Sequence, residues 1–502
     1  MKKRLTEQGL PVLIYNNDGM DLFQWSVGNS FRERPRKVNE KSDKDVICEP
    51  IQPITSLEEY LNVRIGPLKD SVAHGLSYNN VGKTAWELDK EHISVLGEDP
   101  LVPIIQWWKE GGRQFFFSIR MNDLHHGWMQ HFWNDFRLKN PHLLLRPISE
   151  KDWQAKYLPW LNGDAPNPMI REEICNHAFD YSHKEVREHY LDILSEACRR
   201  YELDGVEFDW IRANRFFLEG QEKPELMIEF VKNAREILDE ASKRVGHTIK
   251  LIHRVPDSIE KALETGLDVK KWIELGCVDA IISGIGEVFT ANKTEQWVEL
   301  CHRHKIPVYG VIERFDWGHS RPNWGTCETL RAAAATLWYK GVDGIYLFNH
   351  YITEEYPQFE ELCDADKLTK LSKEYFLDWD YHNDKWVMLP NNQYGGVGPL
   401  PIELAASESK NANLIIADQP EDIKEVVFEF VWQKNSDFST PYITVNGNAI
   451  ENLTIESEDN RVTMRSTSVE ATKLLRYGEN EFKFNAISEM SLIALSVRVV
   501  HK

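Results

Sequence analysis

The chain has 502 residues, 42% apolar and 27% charged, the make-up of a globular protein with a sizeable core rather than a fibrous or disordered one. A formal net charge of −20 lacks the basic footprint that nucleic-acid binding needs. No stretch approaches the ~20 apolar residues of a membrane span, and the seven cysteines are dispersed without the paired spacing of a zinc site or a disulfide framework.

The N-terminus, MKKRLTEQGLPVLIYNNDG, is basic but carries no apolar run long enough for a signal peptide, so the chain as it stands is expected in the cytoplasm. Three apolar runs then predict strands: residues 11–17 (PVLIYNN), the weaker 71–78 (SVAHGLSY) and 113–123 (RQFFFSIRMND). The connections among them are long. The one after Asp123 reaches about to Ser182 and carries Trp128, Trp133, Trp153 and Trp160, a length usual for caps and lids.

From Ser182 onward a helix repeatedly runs into a short apolar strand. Ser182 and Glu185 have capping-box spacing, and Val186, Tyr190, Ile193, Leu194, Ala197 and Tyr201 recur at helical intervals before GVEFDW (205–210). A second helix, Glu225 to Val245, stops at Gly246 and leads into IKLIHRV (249–255). The unit recurs at 269–275 into VDAIISG, at 295–304 into IPVYGVIE and at 328–339 into VDGIYLFN. Alternating helices and buried strands imply a parallel sheet, and eight strands close a (β/α)8 TIM barrel over residues 8–380. After about Asp380 the helices disappear. Short alternating strands separated by Gly, Asn and Asp predict a β-sandwich over residues 381–502. Sixteen of the 17 tryptophans lie at or before Trp386, so aromatic stacking capacity is concentrated in the barrel.

Barrel sites form at the C-terminal ends of strands. Asp204, Asp279 and Asp343 each precede a strand and so lie at the opposite end, where turn and capping work is expected. On the fourth strand, period-two alternation sets Glu207 and Asp209 on the face opposite Val206, Phe208 and Trp210. The apolar face must meet the helices, so both carboxylates point into the barrel, where an ion pair with Arg120 or Arg254 would be their structural use. The seventh strand ends in Glu313. Acids ending strands four and seven face each other across the mouth, the pair that glycoside hydrolysis requires: one protonates the leaving oxygen, the other attacks or activates water. Around them, Arg120, Asn122, His125, His253, Arg254 and Asn349 are candidate substrate-binding residues, with Trp317 and Trp324 as stacking surfaces.

The stretch DGVEFDWIR resembles the D-G-[IV]-x-[FL]-D-[YW]-x-R signature of bacterial glycoside-hydrolase-like barrels whose activities are uncharacterised. The resemblance implies a glycosidase with a carbohydrate substrate and no cofactor. Alpha-amylase-like enzymes have Arg at the position of Glu207 and a nucleophilic Asp at that of Asp209. The chitinase pattern needs an acid at Ile211, and families with glutamates on strands four and seven place Asn where Val206 stands.

The expected function is therefore hydrolysis of an oligo- or polysaccharide, with an anionic glycan suggested by the mouth arginines, by a two-carboxylate retaining route. Two other readings use the same residues. Asp123, Glu207, Asp209 and His253 form an oxygen-rich divalent-metal set for a lyase or isomerase, and a barrel whose acids only accept hydrogen bonds binds sugar without chemistry.

Overall fold

The computed structural model describes residues 5–17, 75–80, 101–122, 135–147, 177–211, 215–286, 289–313, 325–348, 358–379, 398–433, 438–458, 460–468 and 470–502, with isolated positions 58, 61, 99, 149, 151, 152 and 155 between them. Eight parallel strands close on themselves in chain order: β1 (Leu13–Asn17), β2 (Gly75–Asn80), β3 (Gln114–Arg120), β4 (Gly205–Asp209), β5 (Lys250–Val255), β6 (Ala280–Ser283), β7 (Val308–Glu313) and β8 (Gly344–Phe348). Closure is the pairing of β1 with β8, Leu13 opposite Ile345 and Tyr15 opposite Leu347. The weak second run forms a strand, displaced toward its C-terminal end, between β1 and β3.

Alternation along each strand sorts side chains into two separate cores. Phe117, Val206, Phe208, Leu251, Ile281, Ile312 and Leu347 point outward and pack with the helices in one large cluster. Ile14, Phe116, Ile252, Ile282, Tyr309, Val311, Tyr346 and Phe348 form a second, smaller cluster inside the barrel. The helices end as their sequences dictate. Pro224–Val245 stops at Gly246, whose φ of +82° only glycine adopts freely. Lys184–Arg200, however, begins two residues after Ser182 with no side-chain cap, and Asp180 rather than Ser182 accepts a local backbone N–H. The expected capping box does not form. Among the described residues no helix is long and apolar enough to cross a membrane.

At the N-terminal end of the barrel the three strand-leading aspartates do identical work. Asp204 accepts the N–H of Phe115, Asp279 that of Leu251 and Asp343 that of Val308, each at 2.8 Å. Each thus staples its own strand's entry to the start of the neighbouring one; Lys109 and Arg235 pair with Asp204 and Asp279, and His302 Nε2 lies 2.9 Å from Asp343.

The C-terminal region consists of two antiparallel sheets. One is ordered β10 (Ile402–Leu404), β18 (Met490–His501), β12 (Ile423–Gln433), β16 (Arg461–Ser468), β15 (Thr454–Glu458), and β9 (Lys373–Phe376) also pairs with β18. The other is ordered β11 (Ser409–Ile416), β17 (Gly478–Asn485), β13 (Tyr442–Val445), β14 (Asn448–Ala449). Phe428 and Phe430 of β12 meet Phe482 and Phe484 of β17 edge to face, at 6.1 and 6.2 Å between rings, so the sheets pack as a sandwich. Its first strand, β9, lies before residue 380: the sandwich draws on chain that the sequence assigns to the barrel.

β9 is also the source of a buried ion pair. Lys373 Nζ lies 2.6 Å from Asp418 Oδ1, both side chains fully buried, and the Tyr375 hydroxyl donates to Oδ2 at 2.7 Å. Burial pulls the Lys373 ammonium below its ordinary pKa, and Asp418 opposes that shift. Removing one member of such a pair strands a charge. Asp418→Ala is therefore expected to cost about 3–5 kcal/mol in denaturant unfolding; a loss within the range of a surface substitution would show that the pair carries no net stability.

Candidate active site at the barrel mouth

The C-terminal ends of the strands hold an unusual set of inward residues. Arg120, Asp209, Glu313 and Phe348 are the last residues of β3, β4, β7 and β8. Asp209 is in register with Arg120 on one side and Arg254 on the other, and Glu313 with Phe348. All are buried, Glu313 being the most exposed at 4%.

Arg254 is the hub of this row. Its Nη1 lies 3.3 Å from Asp209 Oδ2, while Nε and Nη2 donate to the carbonyls of Gly284 (3.3 Å) and Ile285 (3.4 Å). Its guanidinium also covers the Phe348 ring at 4.0 Å. Asp209 completes its partners by accepting the N–H of Ile211 through Oδ1 at 3.0 Å. Glu313 is placed by its backbone, whose N–H donates to Gly286 O at 3.0 Å. The approach is so close that a Cβ on Gly286 would sit 2.6 Å from that nitrogen, and φ is +91°. Only glycine fits there.

Glu207 lies one inward position deeper than Asp209. The Ser77 hydroxyl donates to its Oε2 at 2.5 Å, and the Tyr346 hydroxyl lies 2.9 Å from both its oxygens while accepting from Asn16 Nδ2 at 2.6 Å. Residues of β2, β4 and β8 thus meet mid-barrel, as one layer of alternate strands does, but with a polar network where branched apolar side chains are usual. Burial, reinforced by the charge of Asp209, pushes the Glu207 carboxyl up to about 7; the hydrogen bonds and Arg254 oppose the shift.

Two expected binding residues are placed elsewhere. His253 alternates with Arg254 and so faces the helices: it accepts from Trp210 Nε1 at 3.2 Å through Nδ1, and its Nε2 lies 3.1 Å from Cys277 O. Burial pushes its pKa down to about 4, and the two partners suit a neutral ring protonated on Nε2. It is a core residue, and the metal set that included it loses a ligand. Asn122 is buried with its amide spent on Phe179 and Arg215, donating to both carbonyls and accepting the Phe179 N–H. It ties together the chain beyond β3 and β4, and among the described residues its side-chain hydrogen bonds are all to backbone. His125, Trp317, Trp324 and Asn349, with Asp123, lie outside the described residues. Ser77, Tyr346 and Asn16 are site residues that the sequence reading did not single out. The signal was present for Tyr346, which shares the inward face of GIYLF with Gly344 and Phe348.

No known protein family matches the sequence, and no curated protein does either. Among solved structures the chain is similar to the PgaB (BpsB) glycoside hydrolase domain from Bordetella bronchiseptica, at 12% identity over 70% of this chain and 97% of that one, with a TM-score of 0.39. It is similar to the maltogenic alpha-amylase AmyB from Thermotoga neapolitana (11% identity, 94% and 98% covered, TM-score 0.37). A third is a glycoside hydrolase family 18 N-acetylglucosaminidase from Paenibacillus barengoltzii (10% identity, 62% and 97% covered, TM-score 0.33). The fold assignment rests on the chain's own strand order rather than on these likenesses.

The environment of Glu207 has a measurable consequence. Its folded pKa is raised, so folding favours the protonated acid: the stabilisation is complete below the unfolded value and is lost as pH rises through about 7. Wild-type protein is expected to lose stability on the order of a few kcal/mol across that interval, and Glu207→Gln to lose much less. Parallel pH profiles of the urea midpoint for the two proteins would show that Glu207 does not titrate there.

Proposed function

We propose that this protein is a glycoside hydrolase that cleaves a glycosidic bond in an oligo- or polysaccharide, with Asp209 and Glu313 as the reacting carboxyl groups and Glu207 beneath them. The observation that carries this reading is the inward placement of acids as the terminal residues of β4 and β7 of a closed barrel. Barrel chemistry gathers at that end, and β4 and β7 stand three strands apart around the mouth.

The roles follow from the partners. Asp209 is ion-paired with Arg254, which suits the anionic member of the couple, so Asp209 is assigned either the attack on the anomeric carbon or the removal of a proton from the water that attacks it. Glu313 is assigned proton delivery to the leaving oxygen. Glu207 has both oxygens engaged by Ser77 and Tyr346, and acts on Asp209 through its charge state rather than on substrate. Arg120, in register with Asp209 at the end of β3, is assigned to a substrate hydroxyl or carboxylate.

Asp209→Asn and Glu313→Gln are each expected to keep the fold and lower turnover by about 10²–10⁴-fold, measured as reducing ends released from a panel of neutral and uronic-acid-containing oligosaccharides. NMR of the first-formed anomer then separates retention from inversion. Wild-type turnover in both variants would remove the assignment, and saturable binding of a glycan that is never cleaved would make the protein a sugar-binding barrel instead.

A further inference from the structure

Asp378 belongs to no barrel strand. It follows β9 by two residues, yet its carboxylate is fully buried and spent entirely on the barrel. Oδ1 accepts the N–H of Phe289 at 3.0 Å, and Oδ2 accepts those of Thr290 at 2.7 Å and Ala291 at 2.8 Å. Three successive backbone donors around one carboxylate make a charge-assisted joint in dry surroundings. From the other side Lys340 Nζ donates to the carbonyls of Thr290 and Asn292 and to the Asn292 side chain. The segment 289–292 is held in a two-sided grip.

The sandwich holds Asp378 in turn. The N–H of Leu377 donates to Leu495 of β18, and the Asp378 carbonyl accepts from Leu400 N–H at 3.2 Å. Gly398 passes so near that a Cβ there would lie 2.2 Å from the Trp379 carbonyl oxygen. Phe376 of β9 adds an edge-to-face contact with Phe289 at 5.9 Å.

Followed backward, the gripped segment leads to the mouth. Gly284 and Ile285 receive Arg254, Gly286 receives the Glu313 N–H, and only two residues separate Gly286 from Phe289 in the chain. We propose that Asp378 is a positioning residue for the mouth: by pinning the chain beyond β6 to the sandwich, it sets the carbonyls that orient Arg254, and with it Asp209, and the backbone of Glu313. The inference rests on the assignment of Asp209 and Glu313 as the reacting pair. It makes the C-terminal domain part of the catalytic framework rather than a detachable carbohydrate-binding module.

The test uses the full-length protein carrying Asp378→Asn, which turns one acceptor oxygen into a donor facing N–H groups. Amide hydrogen exchange, thermal unfolding and the pH dependence of kcat and KM on a substrate found in the glycan screen are compared with wild type. Exchange at Phe289 to Ala291 is expected to quicken. Beyond the direct contact, exchange at Gly284 and Glu313 is expected to quicken by about tenfold or more. A similar fall in kcat with little change in KM and a displaced pH–rate profile should accompany it. Wild-type exchange at Gly284 and Glu313 overturns the proposal whatever the kinetics show, and so does quickened exchange with wild-type kcat and pH profile, since Asp378 would then be a joint between domains and nothing more. If the wild-type protein turns over no glycan, the glycosidase reading falls on its own, while exchange at Glu313 still decides whether Asp378 fixes the mouth. Asp378→Glu, which keeps the charge and displaces it by one methylene, carries the same readouts should the amide variant not fold.

Discussion

A closed barrel has no second place to put a side chain that points inward. Every polar group on the inner face must find its partners among the others or remain desolvated at a cost of several kcal/mol. Here the inner face carries Asn16, Ser77, Arg120, Glu207, Asp209, Arg254 and Glu313, with Ser118 left without a hydrogen-bond partner among the described residues, above a floor of Ile14, Phe116, Ile252 and Tyr309. The arrangement that results follows from this. Arg254 meets Asp209 and two carbonyls, Glu207 takes two hydroxyls, and the mid-barrel acid is the one driven toward its neutral form.

The same constraint separates two acids that stand two residues apart on one strand. Asp209 shares its level with a guanidinium, whereas among the described residues the hydrogen-bond partners of Glu207 are hydroxyls, with a carboxylate above it. Burial beside a carboxylate drives Glu207 toward its neutral form, while Asp209 has a guanidinium partner. The barrel alone implies none of this, since the fold hosts many chemistries.

Most of the barrel was legible in the sequence because β4 to β8 each follow an amphipathic helix, and two periodicities in alternation leave few other folds. The inward direction of Glu207 and Asp209 was legible for the same reason, as was the turn work of Asp204, Asp279 and Asp343. His253 was misplaced although the rule that placed Asp209 also placed it: if Arg254 points in, its neighbour points out. Ser77 was hidden in a weak run of mixed polarity, where the sequence carries little strand signal. The partnership of Tyr346 with Glu207 joins residues 139 apart, and no local pattern encodes such a contact. The role of Asp378 was illegible because a carboxylate beside the last barrel helices looks like any solvated charge until the sandwich folds over it.

The carboxylates of the strand-leading aspartates stitch three seams of the barrel between β3 and β8. Asp204 joins β4 to β3, Asp279 joins β6 to β5, and Asp343 joins β8 to β7, all at the floor. The seams between them are tied at the opposite rim: β4 to β5 by Asp209 and Arg254, β6 to β7 by Gly286 and the backbone of Glu313. From β3 to β8 the wall is thus laced at both rims, and Arg254, through the carbonyls of Gly284 and Ile285, ties β5 to β6 at the top as well. The upper lacing is made from the groups assigned to chemistry, so a reorganisation of the mouth around a bound sugar would also slacken the wall.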